Sequence, residues 1–530
     1  MQEKMQSNDL ALLGQSVAQL LQDLPERISD PLRRTQKDRP NALALSDHLG
    51  TQCSFAELAQ RVDACKVLLG EQGVGAGDRV LLINENCVAV LVWILALSEI
   101  DAVSVVVNAR LAQPEIKRIS QHCEPRLTVC FLDSNAAVTH WGSLREQGDS
   151  VQITQFEASL GLLQGPASAP LDEKDRPVSE RVCTMIYTTG TTGDPKGVML
   201  SHRNMLYVAA VTSVLRGMTK EDRIYCVLPI SHIFGLSAVF LATLFLGAEL
   251  VLADRFDAAS SLHILKEKRV TGMMGVPTMF ARIIEYARAH DLGKDDMPHL
   301  RFLYSGGSPL DPTIKRDTEQ LMGLTLLNAY GMTESGPTIC QVRWNEKLGN
   351  CSVGRSLPGL TLRVLGSDGK QVPLGEVGEL HVRGPNVMRG YYKNPEATAA
   401  VIDGEGFLNT GDLVRLDEAG NVHIAGRSKE LIIHSGFNVY PPEVEAAIAK
   451  HPDVVLCAVI GEVIEGNEHV IAYVQRKAHS TLTESVLQAF LKPSLSPYKR
   501  PATIIFIPQL PTAPSGKVLK HQLRGVRSAP

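Results

Sequence analysis

The stretch Thr188–Gly197, TTGTTGDPKG, directly follows the apolar run VCTMIY, and the reading of the whole chain turns on it. Glycines let a backbone fold back on itself and present N–H groups to an anion with no side chain in the way. The threonine hydroxyls add donors, and Lys196 adds positive charge. The following segment, VMLSHRNMLYVAAVTSVL, has a helical pattern with Ser201 as its cap, so the loop is expected to join a strand to a helix, a common phosphate site. It lacks the G-x-x-x-x-G-K-[ST] order of a Walker A loop. Glycine and threonine in a cluster are equally compatible with a flexible surface loop, so the surrounding chain has to decide.

Outward from the loop, short β-rich apolar runs alternate with helical patterns. RVLLIN (Arg79–Asn84), AVSVVVN (Ala102–Asn108), RLTVCFL (Arg126–Leu132), IYCVLP (Ile224–Pro229), AELVLA (Ala248–Ala253) and RFLYSGG (Arg301–Gly307) read as strands, and SSLHILKEKRV (Ser260–Val270) as a helix. This alternation predicts an α/β fold of parallel sheets covered by helices. From about residue 354 the texture changes. LTLRVLGSDGKQVPLGEVGELHVRG carries the turn signals SDG and PLG and predicts a small antiparallel β-subdomain. After GRSKE (Gly426–Glu430), strand-like LIIH is followed by NVYPPEVEAAIAKH, in which paired prolines open a helix, and then by two more strand patterns. The expected organisation is a large domain of layered α/β subdomains with a small β-subdomain (1–425), a hinge (426–430) and a small α+β C-terminal domain (431–530).

The 530 residues exceed one ordinary domain, and 44% apolar with 21% charged content fits a soluble globular protein. A net charge of −4 supplies no field for nucleic acid or an anionic membrane. The polar start MQEKMQSNDL lacks the apolar core of a signal peptide. The most apolar stretch, Phe234–Ala248, is broken by Gly, Ser and Thr and reads as a buried helix running into a strand rather than a membrane span. Ten cysteines without a C-x-x-C pair point to reduced thiols in a cytoplasmic protein, against zinc or a disulfide frame.

The loop also resembles the phosphate loop of the adenylate-forming superfamily: acyl-CoA synthetases, adenylation domains of peptide synthetases, and luciferases. Further similar stretches follow in the family's order: PISHIFGL, YSGGSPL, NAYGMTES, TGDL, GRSKELIIHSGFNVYPPEVE and PTAPSGK, reaching Lys517. ALSDHLGTQCSFAELAQRV (Ala44–Val62) looks like the family's opening strands and helix. The resemblance implies that Thr188, Thr189, Gly190, Thr191, Thr192, Gly193 and Lys196 hold the phosphates of ATP. It puts Gly306, Gly307, Ser308, Asn328, Tyr330, Gly331 and Thr333 around the nucleotide, with the Tyr330 ring on adenine. Glu334, with Thr189, would hold Mg²⁺, an ion that prefers carboxylate and phosphate oxygens. Asp412 would accept hydrogen bonds from both ribose hydroxyls, with Arg427 nearby.

By the same resemblance Lys517 is the catalytic cation. It bridges carboxylate and α-phosphate as two anions approach and charge spreads onto the phosphoryl oxygens. The small lobe then rotates about Lys429, and Gly436 lines the tunnel through which the CoA thiol arrives. The hinge residue is a lysine, as in 4-coumarate-type ligases, where many relatives have aspartate. His232 would gate acyl site and tunnel, and Ile233, Phe234, Gly235 and Met332 would line the acyl pocket. Amino-acid-activating relatives have an aspartate where this chain has Ile233, which cannot pair with an ammonium group. The implied activity is an ATP-dependent carboxylate–CoA ligase for a hydrophobic acid, aromatic or short-to-medium aliphatic. The alternative is a stand-alone adenylation enzyme loading an acyl carrier protein, although no carrier domain is visible before the chain ends at GVRSAP. A non-catalytic binding protein is a third reading, disfavoured because Glu334, Asp412, Arg427 and Lys517 are all present. The sequence leaves homodimerisation open.

Overall fold

The computed structural model describes residues 9–166, 168–189, 195–434, 437–464, 467–513 and 516–524. Arg79–Asn84 and Val103–Asn108, which are β-branched and apolar with little alternation, are almost wholly buried and pair in parallel, as strands covered on both faces must. They are the centre of an eight-stranded sheet whose order runs Gly390–Tyr391, Pro195–Ser201, Val182–Thr189, Val103–Asn108, Arg79–Asn84, Leu127–Phe131, Ala158–Gln164, Ser150–Gln155. A nine-stranded sheet has six parallel strands at its centre, in the order Leu326–Gly331, Phe302–Ser305, Gly272–Gly275, Arg223–Cys226, Glu249–Leu252, Leu43–Ser46. Helix His202–Leu215 packs on Pro195–Ser201 of one sheet and on Thr338–Gln341 of the other. Helix Val88–Glu99 is buried from Val88 to Ser98, as an all-round apolar helix has to be. The predicted antiparallel subdomain is a four-stranded sheet of Thr361–Leu365, Gly378–Arg383, Leu408–Leu416 and Val422–Arg427.

One local expectation is corrected. The loop after Thr189 joins two antiparallel strands, Val182–Thr189 and Pro195–Ser201, and not a strand to a helix. The residues Val198 to Leu200 are drawn into the sheet because they have partners on both sides, Val198 facing Ile186 and Tyr391. The helix starts only at His202. Ser201 is its cap as expected: Ser201 Oγ accepts from the Asn204 amide at 3.2 Å and Asn204 Oδ1 accepts from the Ser201 amide at 2.9 Å. Phe234–Ala248 does run from helix into strand, but its first part, Phe234–Leu241, is wound as a π-helix, a form concentrated at functional sites.

The C-terminal lobe has a hairpin, Ile432–His434 with Phe437–Val439, and a sheet of Val454–Ile464, Asn467–Arg476 and Thr503–Phe506. Helix Pro441–Ile448 opens on the paired prolines. Among the described residues, no buried apolar cluster joins the core ending at Val422 to the clusters starting at Ile432. All ten cysteines are unpaired. In both large sheets the segments singled out by sequence leave the carboxyl ends of strands, the usual place for a ligand in α/β architectures: the loop after Thr189, Gly306–Ser308 after Ser305, and Met332 after Gly331.

Candidate active site

The cleft is built by register. Thr188 faces Lys196 across the hairpin, and Tyr391 faces Val198 on the next strand, which sets the Lys196 ammonium 5.0 Å above the Tyr391 ring. Tyr391 donates its hydroxyl to Glu334 Oε1 at 2.8 Å. Burial, then Glu334, pushes the phenol pKa up, so it stays a donor. Glu334 is buried in the short turn Thr333–Ser335, and Oε2 has no protein donor among the described residues. The described residues contain no cluster of three or more His, Cys, Asp or Glu able to cage a metal. A single open carboxylate oxygen, on a turn packed against strand Pro195–Ser201, fits Mg²⁺, which takes one or two carboxylates and fills its shell with other oxygens and water.

Beside this lies the shelf formed by Tyr330. Its hydroxyl donates to Asp412 Oδ2 at 2.5 Å, while Arg427 Nε lies 3.2 Å from Asp412 Oδ1. Asp412 and Arg427 are direct cross-strand partners, so the antiparallel ladder fixes the ion pair. Burial raises the Asp412 pKa, opposed by Arg427 and the Tyr330 hydroxyl. Each carboxylate oxygen has two lone-pair sites, so both keep room for a further donor. Gly307 turns the chain at φ +77°, and a Cβ on Gly306 would come within 3.1 Å of the Phe234 ring. Ser308 Oγ is buried without a partner among the described residues. Asn328 donates to the Cys351 carbonyl at 3.0 Å, a tether between loops, and Gly331 has no room for a Cβ, which would lie 1.8 Å from the Pro337 oxygen. Thr333 is buried.

The small lobe brings Lys517 to this cleft. Thr278, second residue of helix Pro277–Ala289, donates its hydroxyl to the Gly516 carbonyl at 3.0 Å, and Gly516 itself turns at φ +82°. Thr313, second residue of helix Pro312–Met322, reaches the Ala449 carbonyl at 3.4 Å. Behind Lys517, Lys520 pairs with Glu445 at 2.8 Å and Glu430 at 3.2 Å. Lys517 is ringed by protein yet open to solvent along the cleft. Burial, then Arg427, draws its pKa down to about 8, and Glu430 and Asp412 act against them. His232 Nδ1 accepts the Phe234 amide at 3.2 Å, which leaves the proton of the neutral ring on Nε2. Burial, then Lys517, lowers its pKa to about 4, so it is neutral. Ile233 and Phe234 are buried at the start of the π-helix, and a Cβ on Gly235 would lie 2.4 Å from the Pro229 oxygen. Met332 is half-buried, and Lys429 is exposed in the turn Ser428–Glu430.

Thus Glu334 and Lys196 share Tyr391, while Tyr330, Asp412, Arg427, Lys517 and His232 form one connected electrostatic neighbourhood. Gly190, Thr191, Thr192, Gly193 and Gly436 lie outside the described residues, as does the side chain of Thr189. Sequence reading missed Tyr391, Thr278, Glu430, Glu445 and Lys520. For Lys520 a signal existed, since it follows Lys517 at the three-residue spacing of a turn. Thr278 lies in GVPTMF (Gly275–Phe280), a segment the sequence suggests for the acyl wall and not for a contact with the small lobe, and nothing marks Tyr391 before the strands are paired.

Residues 32–392 match the AMP-binding enzyme family and residues 443–517 the AMP-binding enzyme C-terminal domain. A feruloyl-CoA synthase of Amycolatopsis sp is 35% identical over 93% of this chain and 97% of its own length. An indoleacetate–CoA ligase of Aromatoleum aromaticum is 31% identical over 89% and 92%. The crystal structure of ATP-bound MatB from Rhodopseudomonas palustris superposes with a TM-score of 0.82 at 32% identity, covering 94% of this chain and 98% of that one.

The Thr278 hydroxyl holds the Gly516 carbonyl in the pose in which Lys517 faces the cleft. Thr278→Val is therefore expected to slow acyl-AMP formation by about 3–10-fold, the worth of one neutral hydrogen bond. Conversion of supplied acyl-AMP with CoA, followed by rapid quench, should not fall, and equal loss in both would reduce Thr278 to a packing role.

Proposed function

The chain belongs to the AMP-binding enzyme family and is an AMP-forming acid–CoA ligase, and from that premise we propose that its acid is hydrophobic, aromatic or short-to-medium aliphatic, and is carried through two steps at one acyl site. The observation that supports this choice of acid is the burial of Ile233 and Phe234 beside a neutral His232. An α-ammonium group there would lose water and gain no partner. The curated relatives described above are CoA ligases or synthases of aromatic acids by name, which supports both an aromatic acid and free CoA over a carrier protein.

In the first step a carboxylate oxygen attacks the α-phosphorus of ATP, and the bond to pyrophosphate breaks. Lys517 and the phosphate loop with Lys196 offset the repulsion between the two anions and the charge that grows on the phosphoryl oxygens. Mg²⁺ held by Glu334 and the phosphates would neutralise further charge. Tyr330 carries adenine, while Asp412 and Arg427 hold the ribose. In the second step the CoA sulfur attacks the acyl carbonyl and AMP leaves. Lys517 is then not needed, and rotation about Lys429 clears the thiol route.

With benzoates, cinnamates and medium-chain fatty acids, acid-dependent ATP–pyrophosphate exchange is expected, and addition of CoA should release AMP and acyl-CoA in equal amounts. Exchange confined to amino acids would overturn the assignment. Lys429→Pro fixes φ at the hinge, so it should spare the exchange and cripple thioester formation. Full thioester yield in that variant would remove the hinge.

A further inference from the structure

Three fully buried arginines invite comparison. Arg79 donates to the carbonyls of Gly77, Cys123, Glu124 and Ala169 and to Ser168 Oγ. Arg343 pairs with Asp9 and donates to the carbonyls of Gln341, Arg355 and Ser356. Arg216 is as deeply buried, at 1% exposure, but has no carboxylate partner among the described residues. Its Nη1 donates to the Ala238 carbonyl and lies 3.2 Å from Met274 Sδ, and its guanidinium carbon is 5.2 Å from the centre of the Tyr304 ring. Nε and Nη2 have no acceptor among the described residues. A buried cation left with idle donors is costly, and the ring face and one carbonyl offset only part of that cost.

The three neighbours of Arg216 place it. Ala238 is one turn along the π-helix from Phe234. Met274 precedes Val276 by two residues, and Tyr304 precedes Gly306 by two, so each pair shares a side of its segment and is separated by about 6–7 Å along the strand. The Gly306 side of its strand faces Phe234, within 3.1 Å of a built Cβ. Arg216 therefore lies one step beneath the level of Phe234, Gly306 and Val276. Two more buried polar atoms without partners belong to its surroundings: Thr212 Oγ1, four residues earlier on the same helix face, and Gln341 Oε1, whose own amide nitrogen reaches the Thr212 carbonyl at 3.5 Å.

We infer that Arg216 is a specificity residue at the far end of the acyl site, where Nε and Nη2 bind an oxygen acceptor carried by the acid at the end remote from its reacting carboxylate. This rests on the acyl pocket proposed above and narrows its acid to one that is apolar along its length and oxygenated at its tip. The acceptor is a phenol or carbonyl oxygen or a second carboxylate, and Thr212 and Gln341 stand ready for a hydroxyl proton.

The test compares 4-hydroxy, 4-carboxy and 4-methyl derivatives of benzoate and cinnamate, two lengths that bracket the distance. In the intact enzyme an oxygenated acid should exceed the 4-methyl acid of the same length in kcat/KM by about 10–100-fold, the discrimination expected of a charge-assisted hydrogen bond. Arg216→Met should erase that preference by lowering kcat/KM for the oxygenated acid. Equal or better use of the 4-methyl acids by the intact enzyme overturns the inference and leaves the ligase reading standing, and this comparison needs no variant to fold. Equal loss on both kinds of acid in Arg216→Met also overturns it, because that is what a purely structural arginine would give. If no acid of either kind drives AMP release with CoA, the acyl-site reading falls and the role of Arg216 falls with it.

Discussion

Bringing a carboxylate against a nucleotide phosphate sets two anions face to face, and the cleft answers with a cation on a lobe that has a core of its own. Lys517 meets Arg427, Asp412 and Glu430 in one neighbourhood of alternating sign. Burial, then Arg427, leaves its ammonium easier to deprotonate than an ordinary lysine, with a pKa of about 8, while Glu430 and Asp412 act against them. Phosphate charge arriving with ATP acts in the opposite direction and favours the protonated form, so the cation is strongest when its substrate is present. Lys520, held above its ordinary pKa by Glu445 and Glu430 against the burial that would lower it, ties the Lys517 segment to the residue next to the hinge. In the proposed mechanism, rotation at Lys429 therefore carries Lys517 along without remaking this network.

The contacts between the lobes suit the opening that the proposed mechanism requires. Thr278 and Thr313 both stand at the second position of a helix and donate to main-chain carbonyls of the small lobe. Each such bond is modest in worth, and the partners find water when it breaks. No apolar cluster of the described residues bridges the lobes, so separation exposes little core. The large domain is the opposite case: helices His202–Leu215 and Val88–Glu99 are buried against its sheets in one continuous core.

Much of this was legible in the sequence, and for physical reasons. Strands buried on both faces announce themselves as runs such as RVLLIN, and Ser201 reads as a cap because its side chain has few better uses. The misreading of VML as helix has an equally plain cause. Local pattern cannot reveal that Tyr391, almost two hundred residues on, supplies a strand that holds Val198 in the sheet. The same non-local pairing hid the contact of Lys196 with Tyr391 and of Tyr391 with Glu334. Arg216 was invisible for a different reason: in SVLRGM it looks like an ordinary helix-end arginine, and only packing discloses that it is buried and short of acceptors.

The central claim is that one lysine serves the first bond-forming step and is absent from the second. Single-turnover measurement of the two half-reactions in Lys517→Ala tests it most directly. Acyl-AMP formation should drop by about 100–1000-fold, the usual effect of removing one electrostatic contact from a transition state. Thioester formation from supplied acyl-AMP and CoA should stay within a few-fold of the intact enzyme. Comparable loss in both half-reactions, or in neither, would contradict the claim.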